Sequence, residues 1–385
     1  MKALLATPGR FHTFALAREL LAASALDRIV TGFPWTKVAR EKLPRDHVET
    51  APLAQLIRFG LIRVGLHNNW IDQRLLLEAL RRVDRRACEF VDEADVFVAL
   101  SGCGLAAGRR MRELEKPYIC DRGSSHILYQ MAILDDEADR NSAPRPFFHP
   151  EVVARELQEY ETANAITVPS TFAQQSFVAQ GVPAAKIHRI PYGVNLANFF
   201  PTESPDADTF DVLFVGALTL QKGLPYLLQA FNRFKHPRKR LTLVGMRTPE
   251  TRFFERQLKG DAIFSLGHIP NVQLKQVMSR SHVMVLTSVQ EGLALVLGEA
   301  LACGCPIIAS ENTGARDLIV DGCEGFVVPI RDPQAIQEKL EYLADSPLER
   351  ERMSLAAIDR MKSLGGWRQY GETYLALLNG LVNQA

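Results

Sequence analysis

Short apolar runs alternate with longer stretches of mixed polarity from one end of the chain to the other. Runs this short, bounded by turn residues, predict buried strands at Lys2–Thr7, Arg28–Thr31, Val96–Leu100, Tyr118–Cys120 and Ala165–Val168. Gly9 and the loop after it lead into a helix near Thr13–Ser24. Beyond Pro201, a polar stretch with Pro, Asp and Ser reaches Thr209 and reads as a linker. The alternation then restarts, with strands expected at Val212–Val215, Leu241–Val244, Val283–Thr287, Pro306–Ala309 and Gly325–Val328. Strands separated by helices call for parallel sheets covered on both faces, and the restart calls for two of them. The expected class is therefore α/β, with one Rossmann-like domain over 1–195 and a second over 196–366. Parallel sheets take ligands at the carboxyl ends of their strands, so two facing sheets imply a cleft between domains.

Composition narrows this picture without redirecting it. The chain has 385 residues, 47% apolar and 23% charged, which leaves room for two ordinary cores. A net charge of +1 removes any global electrostatic case for nucleic acid as a partner. The six cysteines are scattered without a CxxC pair, as expected of reduced, mostly buried thiols in a cytosolic protein. Pro8 closes the first apolar run too early for a signal peptide, and no apolar window of about 18 residues exists to span a bilayer. The expected location is the cytoplasm, at most with peripheral contact to the inner membrane face.

The strongest chemical signal is Glu291-Gly-Leu-Ala-Leu-Val-Leu-Gly-Glu299, which follows the strand ending at Thr287-Ser288. Gly292, Leu293 and Ala294 would turn the chain into a helix beginning near Leu295. The unpaired N–H groups and positive dipole end of such a helix suit a diphosphate. Glu299, two turns along, could accept hydrogen bonds from ribose hydroxyls, and Glu291 from hydroxyls of a sugar, since carboxylates offer several acceptor sites. Gly304-Cys-Pro306 and the strand after it place the helix inside a strand–helix–strand unit.

With Glu299-Ala-Leu-Ala-Cys-Gly-Cys-Pro306 completing the pattern E-x7-E followed by E-A-x-A-x-G-x-P, the second half resembles family 4 of the retaining glycosyltransferases with the two-domain GT-B fold. Phe214-Val-Gly-Ala-Leu-Thr-Leu-Gln-Lys-Gly223, Gly267-His-Ile-Pro270, Asn312-Thr-Gly-Ala-Arg-Asp-Leu-Ile319 and Ile190-Pro-Tyr-Gly-Val-Asn195 resemble other segments of that family in the right order, so the likeness covers roughly residues 90 to 380. The resemblance implies two facing Rossmann-like domains, with the terminal helix from about 367 to 385 packing back on the first. It implies a nucleotide-sugar donor held by Glu291, Glu299, Gly216 and the turn Gly292–Leu295. Lys222 would neutralise the departing diphosphate, without a metal or other cofactor. Two departures stand out. Ala217 occupies the position where the family places a second cationic clamp, for which Arg247 is the candidate substitute, and Glu291-Gly-Leu-Ala294 replaces the usual E-G-F-G.

On the first domain, Asp121-Arg-Gly-Ser-Ser-His126 follows a strand where the family carries a histidine aimed at the transferred sugar, so the resemblance gives His126 that role and makes Arg122 a second contact. Gly9-Arg-Phe-His-Thr13 sits where the family has its acceptor-side loop. Gly9 and His12 are acceptor-side candidates there, and His12 reads equally as a helix-start residue. Glu161 reads as an anchor for its helix. Between Gln55 and Arg86, apolar residues mix with arginines in a pattern that can lie on an anionic membrane face; a solvated helix face is the plainer reading.

The expected activity is transfer of a sugar from a nucleoside diphosphate to a hydroxyl acceptor (glycan, lipid-linked or small molecule) with retention of configuration, as in polysaccharide biosynthesis. Ala217 motivates one alternative, a catalytically reduced nucleotide-sugar-binding protein. A nicotinamide oxidoreductase fits poorly, because Gly9-Arg-Phe-His replaces G-x-G-x-x-G after the first strand. No acidic pair spaced for Mg²⁺ and no zinc-spaced His/Cys cluster is present. Base, sugar, acceptor and oligomeric state leave no signature.

Overall fold

The computed structural model describes residues 1–64 and 68–384. The first domain runs β1 (Ala3–Thr7), α1 (Thr13–Ala22), β2 (Leu26–Thr31), α2 (Trp35–Val38), β3 (Val48–Thr50), α3 (Leu53–Arg63), α4 (Asn69–Cys88), β4 (Val96–Leu100), α5 (Leu105–Glu113), β5 (Tyr118–Asp121), α6 (Ile127–Arg140), α7 (Pro150–Thr162), β6 (Ala165–Val168), α8 (Thr171–Ala179) and β7 (Ile187–Arg189). The second runs β8 (Phe210–Val215), α9 (Leu224–Arg233), β9 (Lys239–Val244), β10 (Ile263–Gly267), α10 (Asn271–Ser279), β11 (Val283–Leu286), α11 (Leu295–Ala302), β12 (Ile307–Ser310), β13 (Gly325–Val328), α12 (Pro333–Asp345), α13 (Pro347–Ser363) and α14 (Gly366–Val382).

Every strand pairing is parallel. The sheet orders are β3-β2-β1-β4-β5-β6-β7 and β10-β9-β8-β11-β12-β13. Both orders reverse direction at one point, between β1 and β4 in the first sheet and between β8 and β11 in the second. Loops leaving neighbouring strands part at such a point, opening a crevice at the carboxyl ends. The central strands are buried along their whole length, as in β1 and β11, which is why they read as unbroken apolar runs. The edge strands β3, β7 and β10 lacked that signal: two are three residues long, and β10 is largely exposed.

The two cores meet through the end of the chain. Tyr370, Tyr374 and Leu378 of α14 sit in the first domain's core with Phe14 and Leu16 of α1, although α14 follows the second domain in sequence. Tyr374 OH lies 2.9 Å from Thr167 Oγ1 of β6. All six cysteines are free, and four are buried. Among the described residues, no helix is long and apolar enough to cross a membrane.

Candidate active site

A cleft of about 660 Å³ opens between the domains, lined from both switch points. The first domain contributes the loop after β1 (Pro8, Arg10, Phe11, His12), Ser101 after β4 and Arg122–Ser124 after β5. The second contributes Val215, Gly216 and Lys222 around the β8 turn, and Glu291 with Leu293–Val296 after β11. Tyr192 from the domain crossing and Trp367 from α14 complete the wall.

The second-domain side is shaped by backbone. Gly216 leaves β8 at φ 154°, and Gly223 has φ 64° at the start of α9. A Cβ on Gly223 would stand 1.9 Å from the carbonyl oxygen of Thr287, so only glycine lets this turn lie against the end of β11. The turn delivers Lys222 into the cleft, where its ammonium pairs with Glu291. Ser288 Oγ also donates to Glu291 Oε1 at 3.0 Å. Helix α11 begins at Leu295 with Ala294 as its N-cap, which has no side-chain capping bond. Its first turn (Leu295, Val296) faces the cleft. The positive dipole end of a helix and its amide hydrogens are therefore presented beside Lys222.

Two anticipated donor contacts sit elsewhere than expected. Gly292 does not line the cleft; a Cβ there would stand 2.0 Å from the carbonyl oxygen of Gly123, and Ser170 Oγ donates to the Gly292 carbonyl at 2.6 Å. Gly292 thus lets the two backbones touch, and the cleft contacts fall to its neighbours. Glu299 lies one turn along α11 from Leu295, on the same face. It is half-buried, makes no side-chain hydrogen bond or ion pair among the described residues, and desolvation pushes its carboxyl up to about 7. Arg247 turns away from the cleft onto Glu255 at 3.1 Å. The cleft's other arginines come from the first domain: Arg122, and Arg10 and Arg18, which both bond Glu41, at 2.5 and 2.9 Å.

The first-domain side is built from side chains. His12 lies in the cleft wall, with Nε2 2.6 Å from Asp121 Oδ2 and its ring stacked on Tyr192 at a centroid distance of 4.3 Å. Thr167 Oγ1 donates to the other oxygen of Asp121 at 3.0 Å. Arg122 is nearly buried and fully engaged, pairing with Glu156 at 2.7 Å and donating to the Ser125 carbonyl and Gln130. Glu156 also accepts from Ser101 Oγ at 2.9 Å and Tyr160 OH at 2.8 Å. Gly9 is buried at the start of its loop, and its neighbours face the cleft in its place.

His126 is the main correction. It does not line the cleft. It caps α6, its Nδ1 accepting from Leu128 N at 3.2 Å, and it packs against Tyr160 and Phe177 with ring centroids about 5 Å apart. Burial, with Arg122 nearby, lowers its pKa to about 4, so it is a neutral structural group. The loop from Asp121 is long enough to carry residue 126 past the cleft and into the core, and histidine 12 is the one at the site. Glu161 is likewise exposed, while Glu156 and Glu159 of the same helix point inward. Glu159 accepts from Gly102 N at 2.6 Å and Gly104 N at 2.8 Å, pinning the loop after β4.

Sequence reasoning missed Asp121, Glu156, Tyr192 and Gln290. Gln290 is fully buried and donates to Ser124 Oγ at 2.7 Å and Ser125 Oγ at 2.9 Å, fastening the two domains beside the cleft. Asp121 had one readable signal, its place at the carboxyl end of a parallel strand. A second fastening joins Asp317 to Thr171 and Arg189, and a third joins Glu137 of α6 to Tyr226 and Arg331.

Two facing Rossmann-like domains with a cleft between the carboxyl ends of their strands make this a GT-B fold. Sucrose-phosphate synthase of Thermosynechococcus elongatus superposes over 100% of both chains with a TM-score of 0.74 at 21% identity. HepE of Anabaena, described in complex with UDP-glucose, superposes over 99% of this chain and 100% of that one, with a TM-score of 0.71 at 17% identity. In sequence, residues 197–360 match the family described as glycosyl transferases group 1. Over 230 residues the chain is 26% identical to a glycogen synthase of Mycobacterium tuberculosis, covering 57% of this chain and 56% of that protein. Over 256 residues it is 29% identical to a D-inositol 3-phosphate glycosyltransferase of Pseudarthrobacter chlorophenolicus, covering 61% of each. The chain thus matches less than two thirds of the length of these curated relatives.

Proposed function

We propose that the protein is a glycosyltransferase that moves a hexose from a nucleoside diphosphate to a hydroxyl acceptor, with retention of configuration and without a metal, as in family 4. The observation that carries this reading is the convergence of Lys222 and the open first turn of α11 at one wall of the cleft. A diphosphate there meets an ammonium and a helix N-terminus, which stabilise negative charge as the nucleotide departs. Glu291, paired with Lys222, is placed to exchange that partner for sugar hydroxyls. Glu299 is a half-buried acceptor without a partner among the described residues, suited to ribose hydroxyls one helical turn away. Arg10 and Arg18, from the opposite wall, supply the positive charge that Ala217 does not. His12 and Arg122 line the acceptor side. The curated relatives named above, both sugar-chemistry proteins, support the same reading over the matched segment.

The test is a thermal-shift screen against UDP, GDP, ADP and their sugar conjugates, in EDTA, starting with UDP-glucose. A ligand at about 100 times its dissociation constant adds about 2.7 kcal/mol of stability. One nucleotide family should stabilise the wild type in EDTA and leave Glu299→Ala unshifted. A shift that requires Mg²⁺ or Mn²⁺ overturns metal independence, and no shift with any nucleotide overturns the donor site. Donor binding without turnover, with activity gained in Ala217→Arg, would favour the catalytically reduced alternative.

A further inference from the structure

Helix α3 is amphipathic in the wrong direction for a soluble domain. Its inner side buries Ala54 and Gln55 and half-buries Arg58, which pairs with Asp72 at 2.7 Å. Its outer side, continued into the start of α4, presents Leu53, Leu56, Ile57, Phe59, Val64 and Trp70, each between 45% and 65% exposed. A surface helix ordinarily turns its apolar stripe to the core and its polar stripe to water. A contiguous apolar patch of this kind marks a docking surface.

Charge selects the occupant. From residue 53 to residue 74 the chain carries Arg58, Arg63 and Arg74 against Asp72 alone, and Asp72 is paired with Arg58. Arg63 lies on the outward side with the apolar residues, and Arg74 follows on the exposed side of α4. Leucine, phenylalanine and tryptophan beside Arg63 and Arg74, with the acid Asp72 taken up by Arg58, match the boundary between the acyl chains and headgroups of an anionic bilayer. The patch also leads to the cleft. Gln55 Nε2 donates to the Pro8 carbonyl at 3.0 Å, tying α3 to the loop that carries Phe11 and His12. Phe11, 52% exposed, stands at the cleft, and Leu76 and Leu80 of α4 continue an apolar wall inside it.

We infer that the outer face of α3 and Trp70 docks on an anionic lipid surface, so that the first-domain wall of the cleft opens toward that surface. The matching acceptor class is a hydroxyl compound anchored by a lipid. This acceptor assignment rests on the transfer reading above, whereas docking does not.

Flotation of the full chain with vesicles of phosphatidylcholine, alone or mixed with phosphatidylglycerol, tests the inference. The wild type should float with the anionic vesicles, less so at high salt, and stay behind with phosphatidylcholine alone. Leu56→Glu/Phe59→Glu should reduce binding by about tenfold or more, and Arg63→Glu by a smaller factor. Both changed apolar positions are exposed, so the melting temperature and any nucleotide-induced shift should match the wild type. Retention of that shift separates failure of docking from failure of the donor site. Wild type that does not float with anionic vesicles, or a double variant that floats equally well, overturns the inference. A wild-type dimer by light scattering that the double variant converts to monomer, with no vesicle binding by either, would assign the face to a second copy and overturn it too.

Discussion

The two walls of the cleft reach the same kind of place by different means. On the second-domain wall, the backbone does the shaping. Gly216 and Gly223 take conformations closed to other residues, and the turn lies against β11 at a distance no Cβ allows. The groups that face the cleft there are a helix terminus and the paired Lys222 and Glu291. On the first-domain wall, side chains do the shaping. Asp121, Arg122, Glu156 and Glu159 come from a strand end, a loop and a helix, and each is nearly buried in ion pairs or hydrogen bonds, Arg122 with Glu156, Asp121 with His12 and Thr167, and Glu159 with the loop after β4. A wall made of backbone must keep its glycines at fixed spacing. A wall made of side chains can draw its members from distant parts of the chain, and each member then depends on its partners being present.

That contrast predicts where substitutions will be felt. The largest stability loss should come from Arg122→Met, which leaves Glu156 buried without its cation; breaking such a pair costs about 3 kcal/mol or more. Urea unfolding should show it, and a loss below about 1 kcal/mol would mean this pair is not what holds this wall. Gly223→Ala should come next at about 3 kcal/mol, combining a left-handed φ with a backbone collision; its mark is a loss of nucleotide-induced stabilisation along with the lowered melting temperature. Lys222→Ala should leave the melting temperature nearly unchanged while donor turnover, hydrolysis included, falls about 100-fold. An unaltered rate would move the charge-stabilising role to Arg10 or Arg18.

The smallest effect concerns Glu299. Burial raises its carboxyl from an ordinary 4.5 to about 7, so the folded chain holds this proton over that interval and the unfolded chain does not. The group therefore weakens the fold as pH rises from 4.5 through 7. A ligand that donates hydroxyls to it favours the ionised form, so nucleotide affinity should fall as pH drops below 7, by at most about tenfold per unit. Titration calorimetry at several pH values should find this slope in the wild type and a flat line in Glu299→Gln. A slope that survives the substitution assigns the titration to another group.

The same contrast explains how legible each part was. Lys222 in the turn after β8, and Glu291 with the Leu293–Leu295 turn after β11, could be read because each sits in a short continuous segment whose spacing is imposed by backbone geometry. Gln290 could not, because nothing local distinguishes a loop glutamine until the partner element is in place, and Asp121 offered only its position at a strand end. His126 misled for that reason. Its place after β5 resembles that of the family's histidine, but the path of residues 123–126 sends it into the core against Tyr160 and Phe177.

The alternation of apolar and polar residues determined two parallel α/β domains, because a strand buried on both faces must be apolar throughout and each crossover needs a helix. The local motif determined which domain carries the helix whose first turn opens on the cleft. The tertiary structure alone decided the strand order, hence the two switch points, and so which loops meet. It alone decided that His12 rather than His126 faces the cleft, and that α3 turns its apolar side outward. Those outcomes depend on contacts between residues far apart in the chain. Packing resolves such contacts, whereas periodicity records only whether a residue has a buried neighbour and not which one.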